Sequence, residues 1–168
     1  MQMQLEIVMI GSGNLATHLS KTLMNCGHRI VQVFSRDANN AILLADSLIC
    51  GAISNLDFLE SKADLYIIAV SDHAIGQITE KFDFSGKKVV HTAGSVPLSV
   101  FGENITDCGV FYPLQTFTKN KEIDFSRIPV CIEARNENFK IFLNKLAGQM
   151  SNNIWQLDSD ARQLVHLS

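Results

Sequence analysis

The stretch Leu5-Glu6-Ile7-Val8-Met9-Ile10-Gly11-Ser12-Gly13-Asn14-Leu15-Ala16 decides the fold. Its first six residues form an apolar run interrupted only by Glu6, which predicts a short strand. Gly11 ends the run. Between residues 14 and 25, Leu15, Leu19, Thr22 and Leu23 recur at helical spacing, and Gly27 stands where a left-handed helix stop belongs. A strand that passes through a glycine turn directly into a helix opens a βαβ unit.

The same alternation continues outward from this segment. Residues 29–34 are β-branched and aromatic and predict a second strand; 39–47 predict a helix with Ala41, Leu44, Ala45 and Leu48 on one face. A short third strand is expected at 52–53. Residues 65–70 are apolar on both faces, as a central parallel strand should be. Asp72 is placed to cap a helix over 73–81. Further strands are expected at 88–91, at 110–112 (stopped by Pro113), at 130–133 and at 154–157, with an amphipathic helix over 138–149. Strands alternating with helices of this length predict an α/β fold: a doubly wound, mostly parallel Rossmann-type sheet with helices on both faces. At the end of the chain, Asp158 or Ser159 can cap a helix carrying Ala161, Leu164 and Val165 at helical spacing.

Composition narrows the function classes. The 168 residues suit one domain, and charged residues make up only 18%, below the usual ~25%. A surface this poor in charge points to a face hidden in a partner or a second copy. The net charge of −3 argues against nucleic acid as the main ligand, because basic patches carry that affinity. No apolar run approaches the ~20 residues of a membrane span, and the first ten residues lack the basic start of a signal peptide. Cys26, Cys50, Cys108 and Cys131 form no CxxC pair, so neither a metal site nor a disulfide framework is expected. Reduced thiols in the cytoplasm are the default.

In such sheets ligands sit beyond the carboxyl ends of the strands. After the first strand, residues 11–16 read GxGxxA in the strand–turn–helix context the pattern requires. Gly11 permits the tight turn, Gly13 lets backbone approach a pyrophosphate, and Ala16 keeps helix and strand close. The helix N-terminus offers free N–H groups and partial positive charge to phosphates. The plainer alternative is a glycine turn without a ligand. After the second strand an NAD site places a carboxylate about 20 residues on, for the ribose 2′-hydroxyl. This chain has Ser35 and Arg36 there. Arginine presents a fork of donors to a 2′-phosphate. Such a contact is worth roughly 1.5–3 kcal/mol, or about a ten- to hundredfold preference for NADP. Asp37 complicates the assignment, since it could neutralise Arg36 or take the ribose itself.

The later strand ends carry candidate chemistry. His91 has a side chain suited to proton transfer, although a lone histidine at a strand end is more often structural. Tyr112 could donate a proton to a carbonyl or imine, or simply pack its ring.

Taken in order, GSGNLA (11–16), VFSRD (33–37), LYIIAVSDHAI (65–75), VVHTAGSV (89–96) and GVFYPLQTF (109–117) carry a family resemblance over nearly the whole chain. The chain resembles the bacterial Rossmann-like oxidoreductases similar to the N-terminal domains of the deazaflavin-dependent NADP reductases and of pyrroline-5-carboxylate reductase. These belong to the wider superfamily of 6-phosphogluconate and hydroxyacid dehydrogenases. The resemblance implies that the turn Gly11, Ser12, Gly13, Asn14 and Leu15 holds the pyrophosphate and that Ser35 and Arg36 hold the 2′-phosphate. It sets Val70, Ser71 and His73 along the nicotinamide half, with Ser95 bordering the substrate. There is one departure: family members commonly read HPL where this chain reads Tyr112-Pro113-Leu114. A histidine could shuttle protons near neutral pH, whereas a tyrosine with an ordinary pKa of about 10 can only donate there. The resemblance further implies a division into residues 1–157, an NADP-binding domain, and 158–168, the start of a helix leading to a helical domain that forms a homodimer.

The expected function is NADP-dependent hydride transfer to or from a small carbonyl, imine or hydroxy compound, with Ser95, Tyr112 and His91 as candidate catalytic residues. A non-catalytic dinucleotide-binding module is the alternative, favoured by the lack of an obvious catalytic set such as Ser–Tyr–Lys. NADPH absorbance against keto acids and imines separates the two. A methyltransferase normally wants an acidic residue where Ser35 and Arg36 stand.

Overall fold

The computed structural model describes residues 2–168. Its elements in chain order are β1 (Glu6–Ile10), α1 (Asn14–Asn25), β2 (Arg29–Phe34), α2 (Ala38–Leu48), β3 (Gly51–Ile53), β4 (Leu65–Ile68), α3 (Asp72–Lys81), β5 (Val89–His91), β6 (Cys108–Pro113), β7 (Val130–Ala134), α4 (Glu137–Met150), β8 (Ile154–Gln156) and α5 (Ser159–Leu167). The strands form one sheet in the order β3-β2-β1-β4-β5-β6-β7-β8. Neighbouring strands are parallel except β6 and β7, which run antiparallel with Tyr112 opposite Cys131. The doubly wound α/β sheet expected from the pattern is the one present.

The apolar character of the central strands follows from burial on both faces. Ile7 and Met9 of β1 and Leu65 and Ile67 of β4 face α1, α2 and α4. Val8, Ile10, Tyr66 and Ile68 face the opposite layer of α3 and Phe84. Alternate residues of one strand thus serve two cores, which explains why no polar alternation marks these strands. The chain builds outward from β1 through β2 to β3, then crosses back to β4 on the other side of β1. The carboxyl ends of β1 and β4 therefore flank the switch point, where a crevice opens.

Local chemistry sets most boundaries. Asp37 caps α2 by accepting from the Asn40 N–H at 3.0 Å, Asn136 caps α4, and Asp158 caps α5 by accepting from Ala161 N–H at 2.8 Å. Gly27 follows α1 at φ +94°. Two expectations are corrected. Asp72 does not cap α3: Ser71 holds the cap position, and Asp72 lies in the first turn, where its charge suits the helix dipole. Pro113 does not stop β6 but is its last paired residue, opposite Val130.

The end of the chain adds a contact that its pattern does not show. The face of α5 turned inward carries Arg162, 1% exposed, whereas Leu164 is 71% exposed. Among the described residues no helix is long and apolar enough to cross a membrane.

Candidate functional site

The crevice at the switch point is a cleft of about 590 Å³. Its floor is the turn between β1 and α1. Gly11 sits at φ +128°, and a Cβ there would lie 2.0 Å from the Ala69 carbonyl oxygen. Only glycine lets β1 run this close to the end of β4. Gly13 is different: a Cβ there would meet nothing within 4 Å, because the residue faces the open cleft. No side chain caps α1, and its first turn holds no acidic residue. The donors of that turn are therefore left for a ligand.

The wall beyond β2 carries Ser35, Arg36 and Asp37. Ser12 Oγ donates to Ser35 Oγ at 2.9 Å, tying the two turns together. Asp37 is committed to capping α2. Arg36 is exposed and joins no ion pair among the described residues. Asn14 donates through its side chain to the Phe117 carbonyl at 2.9 Å, so it braces the loop after β6.

The far end of the cleft is lined by Val70, Ser71, Asp72, Thr92, Ala93, Gly94, Tyr112 and His166. Tyr112 is half-buried, and its hydroxyl lies 2.9 Å from His166 Nδ1. Burial first, then the neighbouring Cys131 and Asp72, push the Tyr112 phenol above its ordinary pKa, so it stays protonated at neutral pH.

Of the sequence candidates, the structure gathers Gly11, Ser12, Gly13, Asn14, Leu15, Ser35, Arg36, Val70, Ser71 and Tyr112 around one cleft. Three candidates fall outside its lining. His91 is fully buried, stacks on Phe101 and accepts from the Ala93 N–H. Burial, with the Arg162 charge second, lowers its pKa to about 4. A neutral ring sealed from the cleft is a core residue, which corrects the proton-transfer candidate. Ser95 gives its hydroxyl to the Asp72 carboxylate, and it is Asp72 that reaches the cleft. His73 is exposed but stands off the lining on α3.

Sequence reasoning missed His166, Asp72 and Lys81 as lining residues. The only signal for His166 was a histidine in a short helix, and nothing local says that this helix returns to the tip of β6.

A mostly parallel sheet with a glycine turn under a helix N-terminus, opening at the switch point, defines a dinucleotide-binding domain of the Rossmann type. The family model described as NADP oxidoreductase, coenzyme F420-dependent, matches residues 6–94, and the chain belongs to that family. Among solved structures, it is similar to a candidate NADP oxidoreductase from Bacteroides fragilis, with 39% identity and a TM-score of 0.89 over 98% of this chain and 64% of that one. It also resembles a prephenate dehydrogenase from A. aeolicus in complex with hydroxyphenyl propionate and NAD+, at 12% identity, TM-score 0.77, over 96% and 62%. A third is a pyrroline-5-carboxylate reductase from Coxiella burnetii, at 16%, TM-score 0.72, over 94% and 61%. The last two show the fold alone. The chain spans less than two thirds of the length of these structures. No curated protein matches it significantly.

Proposed function

We propose that the protein is an NADP(H)-dependent oxidoreductase acting on a small carbonyl, imine or hydroxy compound. One observation carries the cofactor preference: Arg36 is exposed on the cleft wall and joins no ion pair among the described residues, while the neighbouring carboxylate of Asp37 caps a helix. The chemistry of the residues present fits such a group. The turn 11–15 offers backbone donors to a pyrophosphate, the open face of Gly13 leaves room for it, and Ser35 and Arg36 offer donors to a 2′-phosphate. When bound, the cofactor supplies or accepts a hydride. Val70, Ser71 and Tyr112 line the far end of the cleft; the first two would flank the cofactor's nicotinamide half, and Tyr112, held protonated, would offer its hydroxyl to the substrate.

The test is titration of NADPH and NADH into the protein and into Arg36→Ala. The parent should prefer NADPH by about ten- to a hundredfold. Arg36→Ala should lose most of that preference and keep its NADH affinity. Equal affinities in the parent refute the assignment of Arg36. The same reading includes a homodimer built through a helical domain leading on from residues 158–168, with the exposed Leu164 and Leu167 covered. Light scattering that finds only a monomer contradicts it.

A further inference from the structure

We infer that Tyr112 and His166 form a proton-transfer dyad at the substrate end of the cleft, in which His166 aims and reloads the tyrosine hydroxyl. The inference rests on the proposed oxidoreductase reading and names the proton source for that reaction.

The pair comes from two distant elements. Tyr112 lies on β6 and His166 in the last turn of α5, with the hydroxyl 2.9 Å from Nδ1 and the rings edge to face at 5.7 Å. Both line the cleft beside Gly94. A Cβ on Gly94 would lie 2.5 Å from His166 Nδ1 and 2.8 Å from its Cβ. The imidazole is therefore seated directly on the backbone after β5, in space that only glycine leaves free.

Other contacts already hold α5 in place. Arg162 pairs with Glu133 and donates to the Val96 carbonyl; Ser159 bonds Glu133 and accepts from the Leu98 N–H at 3.1 Å. An exposed tyrosine–histidine bond adds only about 0.5–1.5 kcal/mol to such an anchor. Its placement in the cleft, against a glycine, is what asks for an explanation.

The geometry gives the pair two states. When Nδ1 is bare, the tyrosine spends its one hydrogen on the imidazole and can only accept from a ligand. When Nδ1 carries a hydrogen, the imidazole donates and the tyrosine hydrogen is free for an acceptor in the cleft. An imidazole nitrogen can either accept or donate at this position, so it gives the tyrosine a control it lacks alone. The charged and titratable groups around the pair are Asp72 from α3, Cys131 from β7, and Arg162 from α5 with its partner Glu133.

A reduced nicotinamide held in the cleft would supply a hydride to the carbonyl carbon as the C=O π bond breaks toward oxygen. That oxygen takes the Tyr112 proton while the phenol oxygen takes the Nδ1 proton of the imidazolium. His166 is left neutral and regains a proton from water at its exposed edge. Oxidation of the alcohol runs the same transfers backwards, and an imine nitrogen replaces the oxygen without other change.

The test compares the parent with His166→Gln, Tyr112→Phe and Gly94→Ala. In protein carrying 13C-labelled histidine and tyrosine rings, the Tyr112 signal should follow the titration of His166. That response should vanish in His166→Gln and in Gly94→Ala, where the imidazole loses its seat. Turnover of NADPH with 1-pyrroline and pyruvate as probes should fall about 10²-fold or more in Tyr112→Phe. In His166→Gln it should lose one limb of the parent's pH profile, with NADPH affinity unchanged. A Tyr112 signal blind to His166, or a pH limb that survives in His166→Gln, overturns the dyad. A parent protein that does not bind NADPH defeats the proposed function instead, and the ring titrations still judge the pair.

Discussion

The two glycines of the first turn should respond to substitution in opposite ways. A methyl group at Gly11 would stand 2.0 Å from the Ala69 carbonyl oxygen, and the backbone there has φ +128°. The conformation alone costs a side chain about 1–3 kcal/mol, and forcing β1 away from β4 costs about 1–3 kcal/mol more. Gly11→Ala should therefore lose roughly 2–6 kcal/mol of stability. That is a large share of the ~5–15 kcal/mol that holds a domain together. For a domain of this size it corresponds to a fall in Tm of about 5–20 °C. At Gly13 a Cβ meets nothing within 4 Å and φ is −76°. Gly13→Val should cost at most about 1 kcal/mol, yet place its methyl groups where a pyrophosphate would approach the backbone.

Thermal unfolding by circular dichroism and NADPH titration by calorimetry, run on both variants, separate the roles. The expected pattern is an unstable Gly11→Ala protein and a folded Gly13→Val protein that no longer binds NADPH. Parent-like stability in Gly11→Ala refutes the close-approach argument. Parent-like NADPH affinity in a folded Gly13→Val protein removes this turn from the phosphate site.

Two further expectations concern buried charge. His91 titrates at about 4 when folded and near 6.5 when unfolded. The unfolded chain thus binds more protons between these values, and stability should be full above pH 6.5 and fall by about 3 kcal/mol as pH drops toward 4. Urea midpoints at pH 4.5 and 7 should show this slope in the parent and a shallower one in His91→Gln; equal slopes contradict it. Arg162 and Glu133 form a pair whose side chains are 1% and 16% exposed. Glu133→Ala should cost about 3–5 kcal/mol by leaving a buried guanidinium unpaired, and hydrogen exchange should quicken across α5. The Arg29–Glu6 pair, 67% and 50% exposed, should yield under about 1 kcal/mol when Glu6 becomes Gln.

What could be read from the sequence was what local pattern decides. The β1–turn–α1 unit, β2 and the two-faced apolar run of β4 each declare themselves within a few residues, and their order alone places a crevice at the switch point. Contacts made far along the chain were not legible. Asp72 sits where a helix cap is expected, but its carboxylate is drawn to Ser95 on the next strand's loop. Pro113 looks like a stop, yet its missing N–H costs β6 nothing at the last paired position. His91 has the right chemistry in the wrong place, because β5 is central and its end is covered by Phe101.

The last helix shows what periodicity leaves open. In α5 the spacing of Ala161, Leu164 and Val165 marks an apolar face that needs a partner, but it does not say which face turns toward the sheet, and arginine is seldom the buried residue. Arg162 turns inward because Glu133, on β7, directs its carboxylate at the helix, where Ser159 and Arg162 meet it, and the Val96 carbonyl lies beside it. Once Arg162 turns inward to meet them, the helix has no further freedom of rotation. Residue 166, one turn on, lies near the same face and reaches Gly94 and Tyr112, while Leu164 and Leu167 point away. The pairing that buries an arginine is therefore also what brings a histidine to the cleft.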